Sequence, residues 1–317
     1  MRNPRIRNVR YSFVAPVGEV VDGGPQPTVS VLIPCFDASH TVADAVASAL
    51  DQTLPAYEVI VCDDGSHDNP AVALQQFGES VTLLRKPNGG GASALNHALA
   101  AASGDLVAVL DADDVYDPRR IEALTFLAAA RPDLGILTTD AWVEAEGVKI
   151  RRYSEINPFA ADDQLTAILE TCFPGGWPAI RRQLLVEHGG WNETYAVAYD
   201  WECWLRLILD GTAVGMVDEP LMTYRVRDGS LSADSAGSLR DRVRLLGSVD
   251  PDRLSAAQQA VRRSSLRRYR RRLLDAEVAA AVRRGSRREL LRLATTTTTP
   301  WRSRSVALLR AFALRRA

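Results

Sequence analysis

Two groups of carboxylates are placed where they could do chemistry in this 317-residue chain: Asp63-Asp64, and Asp111-Ala112-Asp113-Asp114. Hard carboxylate oxygens suit Mg2+ or Mn2+, and Mg2+ ordinarily combines one or two of them with the phosphate oxygens of a substrate. Each group directly follows a short apolar run, YEVIVC (57–62) and LVAVL (106–110). On an extended backbone Asp111 and Asp113 point the same way, because side chains along a strand repeat every second residue. Either group alone is also what a turn or a helix cap looks like, since Asp favours both. Two such groups at equivalent strand ends argue for a cation, because that many like charges cost stability without one. Between them, Asn88-Gly89-Gly90-Gly91 opens a helical stretch. Glycines let the backbone approach a ligand and a helix N-terminus favours an anion, although a plain tight turn has the same composition. Neither a GxGxxG fingerprint after the first strand nor a GxxxxGK[ST] phosphate loop is present.

The elements that must position these residues follow from the apolar pattern. VSVLIP (29–34) is a short, nearly continuous and β-branched apolar run, as a strand covered on both faces is, and YEVIVC, VTLLR (81–85) and LVAVL read as a second, third and fourth strand. His40–Asp51 (with Ser39 as its N-cap), Ala71–Phe77 and Gly91–Ala102 have helical spacing. Strand and helix in alternation predict an α/β fold with a doubly wound, mostly parallel sheet flanked by helices. Right-handed crossovers then bring the C-terminal ends of the strands to one edge, where ligands bind. After about residue 150 the alternation weakens. FPGGWP (173–178) and GGW (189–191) read as loops, and Tyr199–Leu209 reads as a helix with the stripe Trp201, Trp204, Leu205 and Ile208. The expected organisation is an arm over 1–27, an α/β domain over 28–238 and a helical extension over 239–317. TTTTTP (295–300) is expected as a linker, followed by a last basic helix over Ser303–Arg315.

A net charge of -1 conceals an asymmetry, with 18 Arg against 4 acidic residues from 251 to 317 and an acidic remainder. The acidic front argues against a nucleic-acid groove. The basic tail suits an anionic membrane surface, a contact between copies of the chain, or a solvated face. The four cysteines have neither metal-ligand nor redox spacing, which fits a reducing cytoplasm. No apolar run is long enough to span a bilayer, so any membrane contact is expected to be peripheral, at the inner face.

VSVLIPCFDASHTVADAVASALDQT, YEVIVCDDGSHD and KPNGGGASALNHALAAASGDLVAVLDADDVYDP resemble, in order and spacing, the inverting family 2 glycosyltransferases with the GT-A fold. The resemblance extends over about 29–230. It implies a nucleotide-sugar-binding half at 28–115 and an acceptor half at 116–238. It implies that Pro34, Asp63 and Asp64 line the base and ribose pocket. The Asn88–Gly89 loop, with Asn96 ordering it, would lie under the donor. Asp111 and Asp113 would form the Asp-x-Asp element, with Asp113 the closer metal ligand. AYDWECWLRL is similar to the family segment that carries the catalytic base, which puts Asp200 in that role. Tyr199 stands where the family usually has an acid, and Glu202 is the competing base. The helical period of the segment points residues two apart in opposed directions, so the two acids do not share the task. MTYRVRDGSLS resembles the segment that closes over the donor phosphates. Arg227 stands there in place of a usual His, and Arg225 lies two residues before it. GGWNE and PGGWP would build the acceptor side from Gly175, Gly176, Trp177 and Trp191, the tryptophans either stacking on sugar or packing the core.

The resemblance implies a metal-dependent hexosyltransferase-like enzyme using Mn2+ or Mg2+ and a nucleoside-diphosphate sugar, a UDP-sugar by preference. The acceptor would be a saccharide or a lipid-linked hydroxyl in cell-surface polysaccharide or glycoconjugate synthesis. A nucleotidyltransferase, a nucleotide-sugar-binding scaffold and a polyprenyl-phosphate sugar synthase remain as alternatives.

Overall fold

A computed structural model of the chain describes residues 26–226 and 235–295. Arg227, most of the N-terminal arm, most of the threonine run and the last basic helix lie outside the described residues. The described chain divides into two units, one formed by residues up to 194 together with Tyr199–Arg227, the other by Tyr195–Ala198 and the chain after 227.

In the first unit the apolar runs become strands β1 (Val29–Cys35), β2 (Glu58–Asp63), β3 (Thr82–Arg85) and β4 (Leu106–Val109). They are parallel in the order β3-β2-β1-β4. Val31, Leu32 and Ile33 of β1 are fully buried, each contributing about 1.5–3 kcal/mol of apolar burial. Between these strands run α1 (Val42–Leu50), α2 (Pro70–Leu74) and α3 (Gly91–Ala101). The second half adds β5 (Val115–Tyr116), α4 (Arg120–Ala130), β6 (Leu134–Ala145), β7 (Val148–Arg152), α5 (Gln164–Ile168), β8 (Ala179–Arg181), α6 (Arg182–Glu187), α7 (Tyr199–Leu209) and β9 (Ala213–Val226). β8 runs antiparallel between β4 and β6, the long β6 and β9 are parallel, and β5 returns antiparallel along β9. The result is a nine-stranded mixed sheet, doubly wound and parallel throughout its first four strands.

Local expectations needed correction in three places. Thr41, not Ser39, caps α1, and it does so without a side-chain hydrogen bond. Ser39 is held elsewhere, its N–H donating to Asp68 Oδ2 at 2.8 Å. The helix expected over Ala71–Phe77 stops at Leu74 and tightens into a 3-10 turn that runs to Ser80 through Gly78 at φ 54. The segment at Asp111–Asp114 is not extended: the Asp114 N–H donates to the Asp111 carbonyl at 3.0 Å and closes a turn.

The second unit consists of α8 (Ala236–Ser248), α9 (Ala256–Arg283) and α10 (Arg287–Thr295). Ser235 and Ser255 cap α8 and α9, the latter in a reciprocal box with Gln258. Leu274, Val278 and Ala281 of α9 form a small core with Leu290, Leu293 and Ala294 of α10. The N–H groups of Ala196 and Val197 both donate to Asp241, each at 2.9 Å. Among the described residues no helix is long and apolar enough to cross a membrane.

Candidate functional site

The parallel register puts Pro34 opposite Cys62 and Cys35 opposite Asp63, so the ends of β1 and β2 lie side by side. Asp63 and Asp64 follow each other there, both 2% exposed, but they do different work. Asp63 accepts the Ser66 N–H at 2.8 Å and faces Arg85 at 3.3 Å. Asp64 accepts from Lys86 Nζ at 2.7 Å and from the N–H groups of Gly89 and Gly90, the latter at 2.7 Å. Its carboxylate is therefore the anchor of the glycine loop. Gly65, at φ +79, permits the close fit: a Cβ there would sit 2.9 Å from the Asn88 backbone nitrogen. Asn88 and Gly89 are exposed at the rim, and α3 starts immediately after them.

Past β4, the turn at 111–114 buries Ala112 and Asp114 and leaves Asp111 and Asp113 half-buried. Burial, then the charge of Asp113, then that of Asp200, push the Asp111 carboxyl up to about 7. Asp114 is raised well above the usual carboxylate range by burial and by Asp111. Its Oδ1 accepts the Arg225 N–H at 2.8 Å, while its buried Oδ2 has no hydrogen-bond partner. Burial, with Asp111 and Asp200 next in weight, likewise raises the Tyr199 phenol. Two acids from the turn and one from α7 thus repel one another around a phenol. Hard carboxylate oxygens, the repulsion felt by Asp111 and the orphaned Oδ2 of Asp114 are a donor set that fits Mg2+ or Mn2+. Among the described residues no three His, Cys, Asp or Glu side chains converge to hold an ion by themselves. One or two carboxylates completed by phosphate oxygens and water is the ordinary shell of Mg2+.

At the start of α7 the two candidate bases diverge. Asp200 accepts the Trp201 N–H at 2.6 Å, and its Oδ2 lies 3.2 Å from where a Cβ on Gly176 would be. Glu202 is bound by Arg206 at 3.1 Å, and Arg206 also donates to the carbonyls of His188 and Gly190. Asp200 faces the carboxylate cluster, whereas Glu202 is occupied in pinning the 188–190 turn. Asn96 pins the same turn from α3, donating to the Trp191 carbonyl at 2.8 Å and accepting the Trp191 N–H at 2.9 Å.

Trp177 and Trp191 are 4% and 2% exposed. Neither presents a face to a sugar ring, so the stacking expected of them gives way to core packing. Trp204 supports the loop from beneath by donating to the Gly175 carbonyl at 2.9 Å. Arg225 is drawn toward Asp44 at 3.3 Å and Glu144 at 3.5 Å, so its guanidinium is already shared between two carboxylates.

Three residues that position the site carried no strong sequence signal. Lys86 could have been suspected only as the cation preceding Pro87-Asn88-Gly89. Arg206 looked like ordinary helix polarity. Arg120 lies in a charged helix start yet is fully buried. It donates to the Trp177 carbonyl at 2.7 Å and to Thr139, and it stacks 4.6 Å over the ring of Tyr116. It thereby ties the 173–178 loop to β5, the strand after the acidic turn.

Residues 30–189 match the family described as Glycosyl transferase family 2. The chondroitin synthase of Pasteurella multocida (strain Pm70) is 32% identical over 185 residues, which are 57% of this chain and 19% of that protein. The chain thus spans only a small part of that relative. The UDP-Glc:alpha-D-GlcNAc-diphosphoundecaprenol beta-1,3-glucosyltransferase WfgD of Escherichia coli is 25% identical over 224 residues, 69% of this chain and 85% of that protein. Among solved structures, S. aureus TarS 1-349 in complex with UDP aligns with a TM-score of 0.61 at 16% identity, covering 91% of this chain and 89% of that one. The mannosyltransferase PcManGT of Pyrobaculum calidifontis, in complex with GDP-Man and Mn2+, gives 0.60 at 21%, covering 92% and 86%. These two likenesses establish the GT-A fold. With half the chain matching the family and the fold agreeing, the chain belongs to glycosyl transferase family 2.

Proposed function

We propose that the chain moves a sugar from a nucleoside-diphosphate sugar, a UDP-sugar by preference, to a hydroxyl of a saccharide or lipid-linked acceptor, with inversion. The observation that carries this is the acidic turn that follows β4, where Asp111 feels the charges of Asp113 and Asp200, and the Tyr199 phenol those of Asp111 and Asp200. Asp200 takes the proton of the acceptor hydroxyl, and Gly176, with no side chain, leaves room beside its Oδ2. Pro34 and Asp63 border the nucleotide base, while Asp64 and Lys86 fix the glycine loop beneath the diphosphate. Asp113, seconded by Asp111, holds the cation. A bound Mn2+ or Mg2+ supplies charge stabilisation for the departing nucleoside diphosphate. Arg227, and Arg225 once released from its two acids, complete the anion contacts. UDP in the TarS complex, and the UDP-glucose donor and diphosphoundecaprenol-linked acceptor of WfgD, support a UDP-sugar and a lipid-linked acceptor in polysaccharide or glycoconjugate synthesis. A nucleotide-sugar donor and a lipid-linked acceptor support a cytoplasmic reaction at the inner face of the membrane.

The test combines a binding screen with product analysis. Thermal shift with UDP-sugars and Mn2+ should give a selective rise that Asp113→Asn abolishes. Turnover should release free nucleoside diphosphate, and pyrophosphate as product would reject the assignment. Asp200→Asn should lower kcat about 10²–10⁴-fold with donor affinity kept. The same loss in Glu202→Gln with activity kept in Asp200→Asn would move the base to Glu202.

A further inference from the structure

The arginines of the second unit are not evenly used. Arg262 is spent on structure: its guanidinium donates to the Leu246 and Gly247 carbonyls at 2.6 and 2.9 Å, closing the C-terminal end of α8. Arg240 pairs with Glu277, and Arg284 with Glu289. Arg263, Arg267, Arg270 and Arg271 are different. All four are exposed on α9. Among the described residues no ion pair joins any of them to a carboxylate, and Arg263 reaches only the neutral Gln259. No Asp or Glu occurs between Arg253 and Leu274.

The helical period gathers these four. At about 100° per residue they fall within roughly 100° of arc and, at 1.5 Å per residue, along about 12 Å of the helix. Ser265, Leu266 and Tyr269 are buried on another side of the same stretch. One turn beyond Arg270, the buried residues become Leu274, Val278 and Ala281, which pack with α10. The stripe therefore occupies the part of α9 that α10 does not cover. The crowding is felt: Arg262 is held below the usual arginine range by burial, then by Arg270 and Arg263. While Arg262, Arg240 and Arg284 bind carbonyls or carboxylates and Arg268 and Arg272 lie over the Tyr269 ring, these four charges face outward together.

We propose that the stripe Arg263, Arg267, Arg270 and Arg271 is a docking surface for an anionic lipid bilayer. Guanidinium groups on a straight helix face suit the phosphates of a planar headgroup layer, which they bind as forked donors. No large apolar side chain is exposed on α8, α9 or α10, so the contact is electrostatic and does not insert into the hydrocarbon. Tyr269, the aromatic side chain among these arginines, is buried and lies under the guanidinium groups of Arg268 and Arg272, so it offers no open ring to stack bases, which favours lipid over single-stranded nucleic acid. The choice of lipid also draws on the proposed lipid-linked acceptor.

The full chain is tested by co-sedimentation with phosphatidylcholine vesicles, with and without a phosphatidylglycerol fraction. Binding is expected only to the anionic vesicles and is expected to weaken as salt rises. Each arginine near the surface is worth about a fivefold gain in partitioning, so changing all four to Gln should lower it by more than about 10²-fold. Circular dichroism should show the variant folded, and its donor turnover on a water-soluble acceptor should be unchanged. That last measurement separates the two proposals, since loss of turnover on the soluble acceptor bears on the site and not on the stripe. Equal binding to neutral vesicles, or anionic binding that survives the four substitutions, overturns the inference. So does tighter binding to RNA or duplex DNA than to the anionic vesicles at the same salt.

Discussion

Replacing Gly91 by Ala drives a wedge between the glycine loop and the proposed base. Gly91 opens α3 under the ring of Tyr199, and a Cβ there would lie 2.7 Å from Oη, 3.0 Å from Cζ and 3.1 Å from Cε1. Ordinary contact begins near 3.5 Å, so the ring must withdraw by about 0.5–0.8 Å. Tyr199 and Asp200 are adjacent in the first turn of α7, and moving one moves the other. A displacement approaching 1 Å at a reacting group costs on the order of 10²-fold in rate, so kcat should fall about 10–100-fold. Stability changes less. Alanine in a helix gains about 0.5–1 kcal/mol over glycine, and overpacking costs about 1–3 kcal/mol, which leaves a folded protein. The assay is release of nucleoside diphosphate at saturating donor and acceptor, beside a thermal unfolding curve. Tyr199→Phe removes the atom that meets the new methyl first, so in the double variant part of the lost rate should return, as expected for coupled neighbours. A Gly91→Ala protein with unchanged kcat would refute the reasoning, as would a double variant whose losses simply add.

Asp64→Ala leaves Lys86, 17% exposed, without its partner and strands the Gly89 and Gly90 N–H groups. Urea unfolding should show a loss of about 3 kcal/mol, the low end for breaking a buried pair, and a loss under about 1 kcal/mol would contradict the anchor role. Trp191→Ala should lower the urea midpoint by about 3–5 kcal/mol worth of stability; a raised acceptor KM with unchanged stability would instead revive sugar stacking. Burial raises the Glu58 pKa, but the Ser30 hydroxyl, at 2.7 Å, and the Ser103 N–H and hydroxyl outweigh it and leave it lowered. Asp105 is lowered by the Thr28 N–H and hydroxyl. Depressed carboxylates stabilise the fold above their unfolded values, near 4, and lose that contribution as pH falls through the folded ones. The urea midpoint should therefore drop below about pH 4, less steeply in Glu58→Gln, and an identical slope in that variant would remove Glu58 from the account.

Three of the first four strands were legible because VSVLIP, YEVIVC and LVAVL are largely buried on both faces and so are apolar almost without interruption, whereas VTLLR keeps the apolar pattern at the sheet edge, where Leu83 is exposed. β6 and β9 were not legible. Their ladder shifts register at several points, and they carry Gly135, Asp140, Asp218 and Pro220, which break any local pattern. The cap of α1 was misplaced because residues 37–39 are fixed by Ser66 and Asp68, some thirty positions away. For the proposed site, residue types and order pointed to Asp63, Asp64, Asp111, Asp113 and Asp200. Sequence was silent on which partners each carboxylate takes: Asp63 binds Ser66 and Arg85, Asp64 binds Lys86 and the glycine loop, and Glu202 binds Arg206. It was equally silent on the tryptophans, since an aromatic beside glycines can line a groove or fill the space beneath it.

Asp114 takes its backbone hydrogen bond from Arg225, 111 residues downstream, and among the described residues β5 has no strand neighbour other than β9. Synthesis proceeds from the N-terminus, and pairings that distant form late because the intervening loop must close first. On the ribosome, then, the acidic turn stays unsupported until β9 has cleared the exit tunnel. A growing chain can hold its first four strands together well before it can grip a phosphate.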